Sequence, residues 1–311
     1  MPFAVGGTSR IRTNIPAENA YNALDASSRD VSLRQLRLST GKRINSAADD
    51  VAGYITSRAL QARNGALRSA LNLVGDALNT TNIVQDALDN INTLLTTIKD
   101  STANASSGAL GTDEKVALAK AAYRLSQQIQ TVVDSTVFGG QQLLDGSFSV
   151  SFLIGITANN TLLSIALDLT TSNADYNVDS RNFNVNALST NIFGGVTGLN
   201  LEDFNHVTAD DLGVFSIDRI STTISSLANA LNNVNKVASF IGGISNRMTS
   251  QEELLKGQIT NYNTAISRLE DADVAKEQLN LIKSQFLQQA SLTSLAQANQ
   301  NPNAFLQLIN S

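Results

Sequence analysis

Residues 217–241 read IDRISTTISSLANALNNVNKVASFI. Apolar side chains fall at Ile217, Ile220, Ile224, Leu227, Leu231, Val234, Ala238 and Ile241, in steps of three and four. That rhythm draws one apolar stripe along a helix and is the seam of a coiled coil. After Gly242-Gly243 the stripe resumes through Met248, Leu255, Ile259, Tyr262, Ile266 and Leu269. At about 1.5 Å per residue the run predicts a rod of roughly 80 Å. A rod of that length cannot cover its own stripe and needs another rod beside it. The glycine pair costs about 1–2 kcal/mol inside a helix and marks either a close backbone approach or a kink.

The first third of the chain supplies the partner. From about Ala47 to Asp100 apolar residues recur at Leu67, Leu71, Val74 and Leu78, then at Val84, Leu88, Ile91, Leu95 and Ile98. Between Leu78 and Val84 two steps of three pass through Thr81, which reads as a stammer. A shorter helix is expected from Thr112 to about Asp134, with Thr112 as N-cap and Glu114 just inside. The expected fold is mainly α: long antiparallel coiled-coil-like helices from the N- and C-terminal regions, with a β-hairpin and a small irregular outer module inserted. A compact helical bundle cored by both stripes is the plainer alternative.

Composition agrees. The 311 residues are 42% hydrophobic but only 5% aromatic, with three prolines and no tryptophan, which favours helices packed side by side over a thick core. There is no cysteine, so disulfides and thiolate metal sites are excluded. The net charge of -5 is unevenly spread: Leu125 to Asp218 holds ten acidic residues and one basic one, Arg181, between mildly basic ends. No clustered basic face points to nucleic acid, and no run of 18 apolar residues points to a membrane span. Met1 to Asn14 has no apolar core or small-residue cleavage site of a secretory signal. The expectation is a chain that stays inside the cell or leaves by a machine that does not cleave it.

The middle changes period. Phe148, Val150 and Phe152 alternate, Ala158-Asn159-Asn160 follows, and Leu163, Ile165, Leu167 and Leu169 alternate again. This predicts a β-hairpin with an Asn-rich turn. From about Ser172 to Asp211 the chain is rich in Asn, Asp, Ser, Thr and Gly, with apolar islands such as Val196 to Leu201, and reads as a small exposed module. At the far end no charged side chain occurs in the 28 residues after Lys283, and ten of those are Asn or Gln. Phe286, Leu287, Leu292, Leu295, Phe305, Leu306, Leu308 and Ile309 are interleaved with them, too many for a solvating tail. An uncharged helix of this kind suits a subunit interface, where each lone charge carries a desolvation cost.

No constellation of catalytic residues is legible. His206, the only histidine, has the neighbours Phe204-Asn205-His206-Val207-Thr208 and lacks the H-E-x-x-H of a metalloprotease. Asp49-Asp50 and Asp210-Asp211 are adjacent, so they do not face each other on a helix. Four Gly-Gly pairs lack the spacing and the Lys of a phosphate loop. No enzyme activity and no cofactor are expected.

The stretch Leu36 to Gly53, LRLSTGKRINSAADDVAG, with Thr13-Asn14-Ile15-Pro16-Ala17 before it, closely resembles the N-terminal signature of bacterial flagellins. Ile266 to Pro302, ISRLEDADVAKEQLNLIKSQFLQQASLTSLAQANQNP, resembles their C-terminal signature. Phe138 to Gly146, FGGQQLLDG, looks like the flagellin turn that leads into a β-hairpin. The likeness covers about 9–170 and 215–311, in the right order. It implies a subunit that polymerises into the flagellar filament, an extracellular helical propeller. Residues 1–44 with 272–311 would form an inner core, 45–171 with 212–271 an outer core, and 172–211 a variable surface module. The implied partners are many copies of the same chain, a hook–filament junction protein, the filament cap, an export chaperone and the flagellar type III export apparatus. No nucleic acid or membrane insertion is implied.

Assembly residues are expected where the motifs lie. Leu38-Ser39-Thr40-Gly41 ends one helix and Asn45-Ser46 starts the next, with Asp49 and Asp50 in its first turn, where carboxylates suit the helix dipole. Lys42 and Arg43 are expected to bridge to Glu270, Asp271 and Asp273 at the paired linkers, within or between subunits, the alternative being solvated charges worth under about 1 kcal/mol each. Phe286, Gln297, Asn299, Phe305 and Leu308 are the interface candidates of the last helix.

The sequence departs from the family at two places. About six extra residues lie within Met1 to Thr8. The Arg-Val-Arg-Glu-Leu run that an animal innate receptor recognises in many flagellins is here Thr97-Ile98-Lys99-Asp100-Ser101. Both arginines are missing, and Lys does not replace Arg at a forked contact, which puts recognition by that receptor in doubt. Two rival readings stand beside the filament subunit: a hook–filament junction protein, and an enzyme or adhesin displayed through 172–211.

Overall fold

A computed structural model describes residues 13–156, 162–170, 183, 185, 192–194 and 196–309. They form helices α1 (Ile15–Thr40), α2 (Val51–Ala105) and α3 (Thr112–Ser135); strands β1 (Val137–Phe138), β2 (Gln141–Gln142), β3 (Ser149–Ile156), β4 (Leu162–Asp168), β5 (Ile192–Phe193) and β6 (Val196–Thr197); and helices α4 (Ile217–Glu270) and α5 (Val274–Ile309). The mainly helical fold expected from the two stripes is what forms. The extra residues within Met1 to Thr8, Arg181 and the Asn159-Asn160 turn lie outside the described residues. The chain divides into two compact units, residues 65–259 and the two ends up to 64 and from 260.

Within 65–259, α2 buries a line of Leu67, Ala70, Val74, Ala77, Thr81, Val84, Leu88, Ile91, Leu95, Ile98, Thr102 and Ala105, with Thr80 and Ala87 buried beside it. The spacing along that line alternates three and four without interruption. The stammer expected at Thr81 is therefore absent: Leu71 and Leu78 stand half-buried on the flank, and Ala70 and Ala77 fill the seam. Large side chains mark the stripe in the sequence, but helices that approach closely choose small ones at the line of contact. α4 shows the same shift. It buries Ile220, Thr223, Leu227, Ala230, Val234, Val237, Ile241, Ile244 and Met248, again in steps of three and four, while Ile217 is exposed. A side-chain bridge from Asn92 to Asn235 at 2.7 Å sets α2 beside α4.

Gly242 and Gly243 sit inside α4 without breaking it, and a Cβ added at either would meet nothing within 4 Å. The pair thus marks neither a close approach within the chain nor a helix break. α3 starts one residue earlier than expected: its N-cap is Gly111, and Thr112 is its first residue, without a side-chain cap bond.

The hairpin forms as an antiparallel β3–β4 pair with Ser149 opposite Asp168 and Phe152 opposite Ile165, and an irregularity between Leu153 and Gly155. Phe148, Phe152, Ile154, Ile165, Leu167 and Leu169 are buried, and the Gln251 side chain of α4 donates to the Ile154 carbonyl at 2.9 Å. β1–β2 is the turn around Gly139-Gly140, both at positive φ. The described part of 172–211 buries Phe183, Phe193 and Phe204, and the buried Phe215 follows just beyond it. Phe183 and Phe193 meet edge-on at 6.0 Å between centroids, as do Phe204 and Phe215 at 5.6 Å. Lys120 of α3 donates to the Asn205 carbonyl at 2.6 Å.

The unit of the two ends is built differently. α1 and α5 lie antiparallel, as Asn14 donates to the Ala298 carbonyl at 2.8 Å, Gln288 to Ser28 at 3.1 Å, and Arg34 to Glu277 at 3.0 Å. Among its described side chains, the buried apolar ones are Ala20, Ile44 and Ala298, with Ser27, Ser57, Asn64, Glu270, Glu277 and Ser284 buried beside them. Among the described residues seventeen large apolar side chains are exposed, and eleven of these belong to this unit. They include Tyr21, Leu36, Ile55, Leu279, Ile282, Leu287 and Phe286, the last 70% exposed.

Candidate functional site: the paired linkers

The connections α1–α2 and α4–α5 run side by side. α1 ends because Gly41 turns into the left-handed region, φ 69°, where a side chain would be strained. Ser39 and Thr40 donate back to the Leu36 carbonyl. The Thr40 hydroxyl also accepts from the Lys42 amide at 3.3 Å, and Leu38 is half-buried in the last turn. Beyond Gly41 the two linkers pair as a short antiparallel bridge, Lys42 opposite Asp271. The Arg43 amide donates to the Glu270 carbonyl, and the Ala272 amide donates to the Gly41 carbonyl at 2.9 Å.

Asp49 closes the next turn. Its carboxylate accepts from the amides of Asn45 and Ser46 at 3.0 and 2.9 Å and from the Ser46 hydroxyl. The Ser46 amide, followed by the Asn45 amide, the Ser46 hydroxyl and the Arg37 charge, holds this carboxyl below its ordinary range against the opposing pull of burial. Asn45 donates through its own amide group to the Lys42 carbonyl. With Asp49 taken up in this turn, α2 begins at Val51 rather than near Asn45-Ser46, and Asp50 accepts from the Gly53 amide at 2.9 Å. A Cβ at Gly53 would stand 2.5 Å from the Asp50 carboxylate and 2.7 Å from Ile44 Cδ1, so both side chains would have to shift to admit one.

Glu270 lies at the centre, 4% exposed. Lys42 Nζ approaches its carboxylate at 3.0 Å and Gln61 donates to it at 2.7 Å. Burial pushes its carboxyl up, but the Ser57 hydroxyl, Lys42 and Arg58 outweigh that and leave it below its ordinary value. A second buried carboxylate, Glu277 in the first turn of α5, takes two guanidinium groups, Arg34 at 3.0 Å and Arg37 at 3.5 Å. The Nε of each arginine is buried without a partner.

Of the cross-linker bridges anticipated from charge, Lys42–Glu270 forms. Arg43 does not reach Asp271 or Asp273: it donates to the Leu269 carbonyl at 2.8 Å and approaches Asp50 at 3.8 Å. Asp273 is occupied instead as the cap of α5, accepting from the Lys276 amide at 3.1 Å, and Asp271 contributes backbone. Phe286, Gln297 and Asn299 are exposed on α5. Phe305 and Leu308 belong to the same helix, but their side chains lie outside the described residues. Ser57, Gln61, Arg34, Arg37 and Glu277 escaped the sequence reading. The available signal was a lone carboxylate and a pair of arginines on helices already expected to lie side by side. Thr97 and Asp100 are exposed and Lys99 is half-buried. Among the described residues no three of His, Cys, Asp and Glu gather as metal ligands, and no helix is long and apolar enough to cross a membrane.

Comparison with known proteins gives a consistent answer. Residues 11–149 match the family described as the bacterial flagellin N-terminal helical region, and 224–309 match the C-terminal helical region. A flagellin of Halalkalibacterium halodurans is 30% identical over 96% of this chain and 99% of its own length. Flagellin B of Vibrio cholerae is 26% identical over 96% of this chain and 99% of its own. A solved structure described as a flagellar hook-associated protein, from Vibrio parahaemolyticus, shares the fold with a TM-score of 0.55 at 13% identity, covering 72% of this chain and all of the other.

Proposed function

The chain belongs to the bacterial flagellins, extracellular structural subunits of the motility filament and not enzymes, and on that premise we propose how its parts divide the labour. The ends, 1–44 with 272–311, form an inner core held by contacts between copies. Residues 45–171 with 212–271 form an outer core, and 172–211 faces outward. The paired linkers fix the angle at which the terminal helices leave the outer core, through Leu38 to Gly41, Arg43, Asn45, Asp49, Asp50, Asp271 and Asp273. Phe286, Gln297, Asn299, Phe305 and Leu308 meet neighbouring copies.

The observation that supports this is the reversed distribution of side chains in the terminal unit. Its helices meet through Ala, Ser and ion pairs, and its large apolar residues face out. Large apolar side chains left exposed in number mark a surface that a partner covers. The other proposed partners rest on family resemblance: the hook–filament junction protein, the filament cap, the export chaperone and the type III apparatus. Without arginine at Thr97 and Lys99, tight binding to the innate receptor is not part of the proposal. The test is seeded growth. Purified chain added to filament fragments is expected to elongate them into long tubes; a chain that only caps the seeds is a junction protein instead.

A further inference from the structure

Beside the Gln61–Glu270 bond next to the linkers, two asparagine-to-asparagine bridges join α2 to α4. Asn64 donates to Asn263 and Asn92 donates to Asn235. Twenty-eight residues separate Asn64 from Asn92, and 28 separate Asn235 from Asn263, four heptads on each helix. Both bridges therefore belong to one antiparallel register.

Away from Glu270 and its Gln61 and Ser57 partners, the apolar seam does not specify a register. The buried residues of α2 repeat every seven, as Leu67, Val74, Thr81, Leu88 and Leu95 do. Those of α4 repeat in the same way, as Leu227, Val234, Ile241, Met248 and Leu255 do. Sliding one helix past the other by a heptad sets apolar and small residues against each other again. The same slide breaks both bridges. It sets Asn92 opposite Ala228 or Gly242, and Asn64 opposite Lys256 or Glu270, so no asparagine finds another. Asn64 is also costly where it stands: it is 5% exposed and its carboxamide oxygen is buried without a partner. A polar residue that fixes pairing at the expense of stability is a known device of coiled coils.

We propose that Asn64, Asn263, Asn92 and Asn235 are positioning residues that select the register of α2 against α4 as the two helices pair during folding. This goes beyond the filament role and does not depend on it.

The chain has no cysteine, so spin labels placed by Thr96→Cys and Ser250→Cys, both exposed positions, report cleanly. Distances are measured by pulsed electron resonance in samples frozen at a series of delays after dilution from denaturant, and at equilibrium. The unsubstituted bridges are expected to give one distance throughout. The variant Asn64→Leu, Asn263→Leu, Asn92→Leu, Asn235→Leu is expected to pass through a second population displaced by about 10 Å, the length of one heptad. If it fails to fold, the same four positions as serine remove the bridges without adding apolar surface and are read in the same way. Adding Leu78→Asn with Thr249→Asn rebuilds a bridge in the original register, two heptads from each lost pair, and is expected to abolish the displaced population. No displaced population at any delay in a folded fourfold variant overturns the proposal, as does a displaced population that the rebuilt bridge leaves unchanged.

Discussion

Replacing Glu270 by alanine is expected to open the paired linkers, and the geometry sets the size of the effect. The carboxylate is 4% exposed and serves Lys42, Gln61 and Ser57. Its removal leaves the Gln61 donor without this acceptor, while the Ser57 hydroxyl keeps the Tyr54 carbonyl at 3.0 Å, and a hydrogen bond to a charged group is worth about 1.5–3 kcal/mol. Lys42 is 44% exposed along its side chain and can turn to water, so its share is under about 1 kcal/mol. The expected cost of Glu270→Ala is about 2–4 kcal/mol. Lys42→Ala is expected to cost under about 1 kcal/mol, and Glu270→Gln to fall between, because a carboxamide oxygen can still accept from Gln61 or Ser57. The local probe is amide hydrogen exchange at Arg43 and Ala272, whose N–H groups cross the linkers. A loss of 2–4 kcal/mol speeds their exchange about 30- to 1000-fold if they open locally. Exchange unchanged by Glu270→Ala, or Lys42→Ala as costly as Glu270→Ala, refutes the reasoning.

Acidity tests the same site. Glu270 and Asp49 both titrate below their ordinary values in the fold. Their stabilisation is therefore complete above the unfolded carboxyl range, about pH 4, and is lost as pH falls through the lower folded values. Exchange at Arg43 and Ala272, corrected for its intrinsic pH dependence, is expected to accelerate in that window, and less so in Glu270→Gln. Gly242→Ala with Gly243→Ala adds two Cβ atoms that meet nothing within 4 Å, and is expected to stabilise α4 by about 1–2 kcal/mol, raising the thermal midpoint of the monomer by several degrees. Phe286→Asp, at a 70% exposed position, is expected to leave monomer melting within about 0.5 kcal/mol while stopping seeded elongation. Removal of residues 284–311 is expected to leave a soluble, largely helical chain by circular dichroism that adds to no seed.

The long helices were legible because a 3-4 alternation sustained for many turns has few other meanings. Their exact seam was not. Counting large apolar residues selects Leu71 and Leu78, whereas packing placed Ala70, Ala77 and Thr81 at the contact line, and in α4 Thr223, Ala230 and Val237. Hydrophobicity ranks side chains by transfer from water; close helix contact ranks them by how little room they take. At the linkers, opposite charges in the right order foretold Lys42–Glu270. They could not foretell that Asp273 is spent on the cap of α5 and Asp49 on a turn, because a carboxylate's nearest backbone amides compete with any distant cation. The small aromatic core of Phe183, Phe193, Phe204 and Phe215 was hidden by polar composition around it.

Terminal helices that meet through alanine, serine and ion pairs release little heat capacity when they part. On the proposed assembly the large hydration change is reserved for the step in which the exposed Tyr21, Leu279, Ile282 and Phe286 leave water. Burial of apolar surface on association carries a negative heat-capacity change, with a driving force that is entropic near room temperature and fades on cooling. Growth of the polymer then has the calorimetric character of a folding reaction deferred to a second molecule, and chilling is the gentlest way to ask how much of it can be undone.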